Sequence, residues 1–114
     1  MEEVFEIAER SVGEAVTVLA IRGEIDVSTA PELRERLLAA TTDAPRTVVV
    51  DLSEVSFLDS TALGVLVSGV KRLRSEGGDL RLVVTGRSVA KVLEITGLVE
   101  VFSIFETVDA AVAE

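Results

Sequence analysis

The sequence predicts an α/β fold: one domain with a mixed, mostly parallel β-sheet of about five strands and about four helices. Short stretches rich in β-branched residues alternate along the chain with segments of helical periodicity. The first two strand-like stretches are consecutive, and a helical segment follows the second strand and every later one, which implies parallel crossovers. With 114 residues, the chain is long enough for one core and too short for two, so we expect residues 1–114 to form a single domain.

Four elements are predicted in the first half of the chain. Residues 4–8 alternate in a way typical of an edge strand, and residues 15–23 are rich in β-branched side chains and predict a second strand. Residues 28–40 predict a helix. This helix is supported by candidate caps, a first-turn proline and an apolar face, which are Ser28 or Thr29, Pro31, and Leu33, Leu37 and Leu38. Residues 46–52 form a continuous apolar run, typical of a central strand covered on both faces.

Five elements are predicted in the second half. After a loop, residues 60–75 predict a helix that ends before two glycines, and residues 80–84 predict a strand. Residues 88–97 predict a short helix, residues 99–105 a last short strand, and residues 106–114 a C-terminal helix. The cap and the stop predicted for the short helix are Ser88 and Gly97.

The helix predicted over residues 60–75 has two distinct faces. At about 100° per residue, its core face comprises Ala62, Leu63, Leu66, Val67, Val70 and Leu73. The opposite face is a stripe of small, nearly uncharged residues, namely Thr61, Gly64, Val65, Ser68 and Arg72. A solvent-facing helix in so acidic a chain normally carries Glu and Lys on that face. Two interpretations remain open: Gly64 permits close packing within the domain, or the stripe docks another protein.

The composition disfavours several functional classes. The chain contains no cysteine and no histidine, which excludes disulfides, a Ser-His-Asp triad and the usual zinc sites, so we expect neither a metal nor a cofactor. The net charge of −9 disfavours direct binding of nucleic acid or of an anionic membrane and suits a protein partner with basic patches. Because the N-terminus is acidic and lacks the apolar core of a signal peptide, we expect a cytoplasmic protein.

Ser60 is the candidate functional hydroxyl. It follows Asp59 and begins the predicted helix, where a serine is a preferred N-cap and an acid suits the helix dipole. Capping alone explains such a pair. A lysine base for this serine is poorly placed, because Lys71 lies three turns further along the same helix, about 16 Å up its axis. Enzymatic function, including a small hydrolase or a nucleotide-binding enzyme, is therefore the weaker class.

Three segments carry a resemblance to a known family. The stretch VSFLDSTALGVLV, residues 55–67, follows the strand TVVVDLS and resembles the STAS domain, specifically the anti-sigma factor antagonist family. Residues 21–37 resemble the strand, loop and first helix of that family, and residues 77–107 resemble its C-terminal half. The resemblance spans nearly the whole chain without insertions and implies a STAS-like fold.

The resemblance also implies a mechanism. In such proteins the serine after the acid is phosphorylated by a partner that is both an anti-sigma factor and a serine kinase, and a serine phosphatase restores it. The unphosphorylated form binds the partner and frees the sigma factor. By position, Ser60 matches the phosphorylated serine and Asp59 matches the acid before it, while Asp26 lies in a turn that matches a loop of the partner interface. Thr61 is a less favoured site of modification, and Ala62 stands where many relatives have glycine.

The partner-binding residues expected on this basis are Asp26, Asp59, Thr61, Gly64, Val65 and Ser68. An alternative keeps the fold and changes the role. STAS-like domains also serve as accessory subunits of stress-signalling assemblies or of membrane transport systems, where the same helix would dock without phosphorylation.

Overall fold

The computed structural model describes residues 5–40 and 46–113 of the chain. Within them lie five strands: β1 (Glu6–Val12), β2 (Val16–Ile25), β3 (Thr47–Leu58), β4 (Asp79–Val83) and β5 (Ser103–Phe105). The α-helices of the same residues are α1 (Ala30–Ala40), α2 (Ser60–Ser75), α3 (Arg87–Ile95) and α4 (Val108–Ala113), and a 3-10 helix covers Leu98–Glu100. The predicted fold class, a mixed five-stranded sheet with four helices, is confirmed.

The five strands form one sheet in the order β1-β2-β3-β4-β5. β1 and β2 form an antiparallel hairpin, whereas β2, β3, β4 and β5 pair in parallel. Each parallel pair needs a crossover, and α1, α2 and α3 provide these crossovers. Their apolar side chains share one core with the sheet. On the opposite face, Ala111 of α4 packs in a smaller cluster with Val18, Val49 and Val83.

β3 is longer than predicted, since residues 53–58 were expected to lie in a loop. The strand continues to Leu58, and this extension pairs with β2 alone, because the pairing with β4 ends at Asp51 and Val83. Val55 and Leu58 are buried, whereas the intervening side chains are exposed. A half-covered, two-stranded extension lacks the continuous apolar run that marked the central part of the strand.

The N-terminal hairpin also differs from its prediction over residues 4–8. Val4 lies outside the described residues, and β1 runs from Glu6 to Val12, so it extends past the predicted end. The register continues to the pair Val12 and Val16, around a turn in which Gly13 has φ +66°. Exposed charged side chains of an edge strand obscure the alternation in this stretch.

The C-terminal third contains two corrections. The strand expected over residues 99–105 is a 3-10 helix followed by the three-residue strand β5. Ser88 is not the cap of α3, because the N-cap is Gly86, which has no capping side chain. The stop at Gly97 is confirmed by its left-handed backbone, with φ +76°. The last residue of the predicted C-terminal helix, Glu114, lies outside the described residues.

The predicted core faces of α1 and α2 are largely confirmed. On α2, the buried residues are Ala62, Leu63, Leu66, Val70 and Leu73, and Val67 is half-buried against them. On α1, Leu33 and Leu37 are buried, but Leu38, which was predicted to share their apolar face, is 39% exposed. Leu38 follows Leu37 by one residue, about 100° around the helix, and so lies at the margin of the apolar face.

In the described part of the chain, no helix is both long enough and apolar enough to cross a membrane.

Candidate functional site

The start of α2 lies where β2 and β3 end side by side. Ile25 and Leu58, the last residues of these two strands, are paired in the sheet. The next residue, Asp59, donates its backbone N–H to the carbonyl oxygen of Ile25 at 3.1 Å. This bond fixes the first turn of α2 beside the turn that leads from β2 into α1. Ser60 and Asp26 therefore belong to neighbouring segments at the carboxyl-terminal ends of β2 and β3.

Asp59, and not Ser60, caps α2. Its backbone is extended (φ −106°, ψ −174°), and its side chain accepts a hydrogen bond from the N–H of Ala62 at 3.0 Å. Its carbonyl oxygen accepts the N–H of Leu63 at 3.0 Å. The interpretation of Ser60 as the N-cap is therefore wrong. Ser60 is the first residue inside the helix, where its hydroxyl has no capping role.

The Ser60 hydroxyl is available for chemistry. The residue is exposed, and its hydroxyl has no hydrogen bond to any residue that the structure describes. The N–H groups of Ser60 and Thr61 belong to the first turn, where α-helices have no internal acceptors. The positive end of the helix dipole also favours a negative charge at this position. An oxyanion attached to Ser60 would lie in a favourable electrostatic position.

Asp26 organises the turn between β2 and α1. Its Oδ1 atom accepts hydrogen bonds from the Ser28 hydroxyl at 2.7 Å and from the backbone N–H groups of Ser28 at 2.9 Å and Thr29 at 3.2 Å. The Thr29 hydroxyl in turn accepts the Asp26 N–H and donates to the Glu24 carbonyl, both at 2.9 Å. The Ser28 side chain, followed by its backbone N–H, lowers the pKa of Asp26 below its ordinary value of 3.8. One carboxylate oxygen is thus committed to shaping the turn.

The predicted stripe on α2 lines a groove between α1 and α2. Thr61, Gly64 and Ser68 are exposed, and Val65 is half-buried. The groove has a volume of about 510 Å³. Its lining comprises Thr61, Gly64, Val65, Ser68, Gly69 and Arg72 from α2, and Arg34, Leu37 and Leu38 from α1. The structure thus brings the stripe together with one exposed edge of α1, immediately beyond Ser60.

The two interior glycines of α2 have different surroundings. A Cβ atom added at Gly64 would meet no atom within 4 Å, so close packing within the domain does not explain that glycine. A Cβ atom at Gly69 would lie 3.1 Å from Leu80 Cδ1 and 3.3 Å from Leu37 Cδ1. Gly69 is therefore the residue that lets α2 approach α1 and the sheet, a role that sequence reasoning did not assign to it.

Comparison with known proteins identifies the family. Residues 8–111 match the STAS domain. The chain belongs to the STAS domain family. An anti-sigma-B factor antagonist of Staphylococcus aureus (strain NCTC 8325 / PS 47) is 36% identical to it over 86 residues, which make up 75% of this chain and 80% of the relative.

Solved structures extend the likeness of this STAS domain to nearly its whole length. The crystal structure of an anti-sigma factor antagonist from Mycobacterium paratuberculosis superimposes with a TM-score of 0.87 and 32% identity, covering 96% of this chain and 92% of that one. The Bacillus cell fate determinant SpoIIAA in its phosphorylated form gives a TM-score of 0.70 and 20% identity, covering 95% of this chain and 97% of that one. At that lower identity, the second likeness shows a shared fold.

Two exposed apolar residues of the STAS domain near Ser60 were not identified from the sequence. Val27, in the turn fastened by Asp26, is 70% exposed, and Phe57, near the end of β3, is 48% exposed. Phe57 pairs with Glu24 in the sheet, which places it close to the start of that turn. A valine between Asp26 and Ser28 in an otherwise polar turn was the available sequence clue. Phe57 could be assigned only once β3 was known to extend beyond residue 52.

Proposed function

We propose that this STAS domain is an anti-sigma factor antagonist whose binding to an anti-sigma factor is switched off by phosphorylation of Ser60. The observation that carries the proposal is the capping of α2 by Asp59, which leaves the exposed Ser60 hydroxyl free for modification. Relatives at 36% and 32% identity carry the name antagonist, which denotes a binding role rather than an enzymatic one. Their similarity supports this function over an accessory role in a transport or stress-signalling assembly.

The proposed partner is an anti-sigma factor with serine-kinase activity. It docks on the exposed and half-buried residues around Ser60, which comprise Asp26, Asp59, Thr61, Gly64, Val65 and Ser68, together with Val27 and Phe57. A kinase that docks there has the Ser60 hydroxyl within its footprint and can transfer the γ-phosphoryl group of ATP to it. A serine phosphatase then hydrolyses the phosphoserine and restores binding.

A phosphate on Ser60 is compatible with the fold. It adds about 1.5–2 negative charges at neutral pH, and the free N–H groups of the first turn and the helix dipole stabilise them. The groove residues next to Ser60 then lie beside a bulky anion. Loss of contact and repulsion of partner carboxylates reduce the affinity, and each 1.4 kcal/mol lost weakens binding tenfold.

Thr61 is the less favoured phosphorylation site. Its side chain is exposed and lines the groove, so a kinase can reach it. A phosphate there would project into the docking surface rather than lie at its edge, and Thr61 does not match the serine that the family resemblance identifies.

The cytoplasm is the compartment proposed for the switch, since ATP and sigma factors are present there. Direct contact with nucleic acid or with a membrane forms no part of the proposal.

Phosphorylation mapping tests this function. The purified chain is incubated with ATP and a kinase-type anti-sigma factor from the source organism, and the modified residue is located by mass spectrometry. We expect phosphate on Ser60, none on Ser60→Ala, and loss of the complex with Ser60→Asp. Phosphate confined to a residue other than Ser60 and Thr61 would overturn the site, and equal affinity of wild type, Ser60→Ala and Ser60→Asp would overturn the switch.

A further inference from the structure

Among the residues that the structure describes, the charged side chains that line the α1–α2 groove are both basic. They are Arg34 on α1 and Arg72 on α2. The chain as a whole is strongly acidic, with 20 acidic and 11 basic residues. At physiological ionic strength, charges further apart than about 8 Å are largely screened. Distant carboxylates therefore act weakly on a ligand in the groove, where the charged lining residues are the two arginines, with Glu76 beside Arg72.

The guanidinium groups are available to a partner to different degrees. Arg34 is exposed, and its side chain forms no hydrogen bond or ion pair with any residue in the described part of the chain. Arg72 forms a long ion pair with Glu76, with its Nε atom 3.8 Å from Oε2, and both side chains are about half exposed. Exposed ion pairs of this kind contribute little to stability. A carboxylate from a partner can therefore bind Arg34 directly and compete with Glu76 for Arg72.

The groove also offers apolar surface. Leu37 and Val65 contribute apolar atoms to its lining, and Leu38 stands at its edge with 39% of its surface exposed. From Thr61 to Arg72, the α2 wall is roughly 16 Å long at 1.5 Å per residue. A groove of this length accommodates about three turns of a helix.

We propose that this groove binds an amphipathic helical segment of the anti-sigma factor, with carboxylates that pair with Arg34 and Arg72 and apolar side chains that pack on Leu38 and Val65. The inference rests on the proposed function and adds the chemistry of the partner's contact segment. Carboxylate–arginine pairs are the strong form of hydrogen bond at such sites, and an amphipathic helix in an apolar groove is a recurrent mode of recognition. A basic or purely apolar segment would provide no acidic partner for Arg34.

The groove also suggests how the phosphate is sensed. Thr61 lines one end of the groove and directly follows Ser60. A phosphate on Ser60 places negative charge beside the end at which the acidic segment enters. The repulsion acts on the bound segment itself and requires no change of fold.

Charge reversal on α1 and α2 tests the proposal. The probe is the purified anti-sigma factor that binds the wild-type chain, titrated calorimetrically with Arg34→Glu, Arg72→Glu and Leu38→Ala. We expect each arginine reversal to weaken binding about tenfold or more, and the loss to shrink in 1 M salt, where the screening length falls to about 3 Å. Leu38→Ala should weaken binding in a way that salt does not relieve.

Lys71→Glu is the matched control, because Lys71 precedes Arg72 on the same helix, is exposed and does not line the groove. It should leave the affinity within about twofold. Unchanged melting temperatures show that each variant is folded. If the wild type binds and Ser60→Asp does not, while Arg34→Glu and Arg72→Glu bind like the wild type, the groove proposal is overturned and the proposed function stands. If the wild type binds none of the organism's anti-sigma factors, both are overturned.

Discussion

The carboxylate of Asp59 accepts a hydrogen bond from the backbone N–H of Ala62 at 3.0 Å and thereby caps α2. This contact separates two roles that the sequence places on adjacent residues. Asp59 supports the helix, and Ser60, one residue later, presents an exposed hydroxyl that the helix does not use. The reversible modification proposed for Ser60 would change the charge at this position without removing a structural hydrogen bond.

Removal of the cap should destabilise the domain, whereas removal of the hydroxyl should not. Asp59→Ala loses the bond to the Ala62 N–H and a favourable charge at the helix start, so we expect a loss of about 0.5–2 kcal/mol in the free energy of unfolding. Ser60→Ala should change it by less than about 0.5 kcal/mol. Urea denaturation of both variants measures the difference. If Ser60→Ala lowered the free energy of unfolding as much as Asp59→Ala does, Ser60 would be the cap after all.

The two glycines of α2 should respond differently to substitution. Gly64→Ala introduces a methyl group into open space and should stabilise the helix by up to about 1 kcal/mol. Gly69→Ala introduces a methyl group 3.1 Å from Leu80 Cδ1. The gain in helix stability should therefore be smaller at Gly69 or become a loss. Comparison of the two unfolding free energies checks the expectation, and a destabilised Gly64→Ala would contradict it.

Gly64→Glu should weaken binding of the anti-sigma factor while leaving the melting temperature within a few degrees.

The Asp26 turn should weaken in acid. Because hydrogen bonds from Ser28 lower the pKa of Asp26 in the folded state, the ionised carboxylate stabilises the fold at pH values above the unfolded value of 3.8. That contribution is lost as the pH falls from 3.8 through the lower folded pKa. Asp26→Asn keeps an oxygen acceptor and removes the charge. The wild type should therefore exceed Asp26→Asn in stability near neutral pH, and the difference should vanish in strong acid. A difference that does not depend on pH would refute this explanation, and NMR titration of the carboxyl group gives its pKa directly.

Phe57 should contribute to binding and little to stability. The residue is 48% exposed near the turn beside Ser60, and aromatic residues are frequent hot spots at interfaces. Phe57→Ser should weaken the complex with the anti-sigma factor by about tenfold, that is, by about 1.4 kcal/mol. Ile95→Ser is a suitable control, since Ile95 is 74% exposed at the end of α3. If the two substitutions had equal effects on affinity, Phe57 would not be part of the docking surface.

The fold class could be predicted because local patterns determine it. Continuous apolar runs and helical periodicity locate the central strands and the helices, and the alternation of the two implies parallel pairing. The extension of β3 to Leu58 was not predictable in the same way. It depends on pairing with β2 alone, a contact between residues distant in sequence that leaves no continuous apolar run.

The choice of the helix cap illustrates the same limit. Asp59 and Ser60 are adjacent and are both good N-caps, so local preference does not decide between them. The hydrogen bond from the Asp59 N–H to the Ile25 carbonyl oxygen holds Asp59 in the extended conformation that a cap requires. In the same way, α2 contains two interior glycines, and the position of Leu37 and Leu80 determines that Gly69 is the packed one. The stripe of small residues on α2 was predictable, because helical periodicity alone aligns those residues.

The affinity of the anti-sigma factor for the phosphorylated and the unphosphorylated chain tests the central claim most directly. The chain is phosphorylated to completion on Ser60, verified by mass spectrometry, and titrated calorimetrically beside the unmodified chain. We predict that phosphorylation raises the Kd at least about tenfold, that is, by 1.4 kcal/mol or more, while the circular dichroism spectrum and the melting temperature stay nearly unchanged. Equal Kd values for the two forms would contradict the claim that Ser60 is the switch.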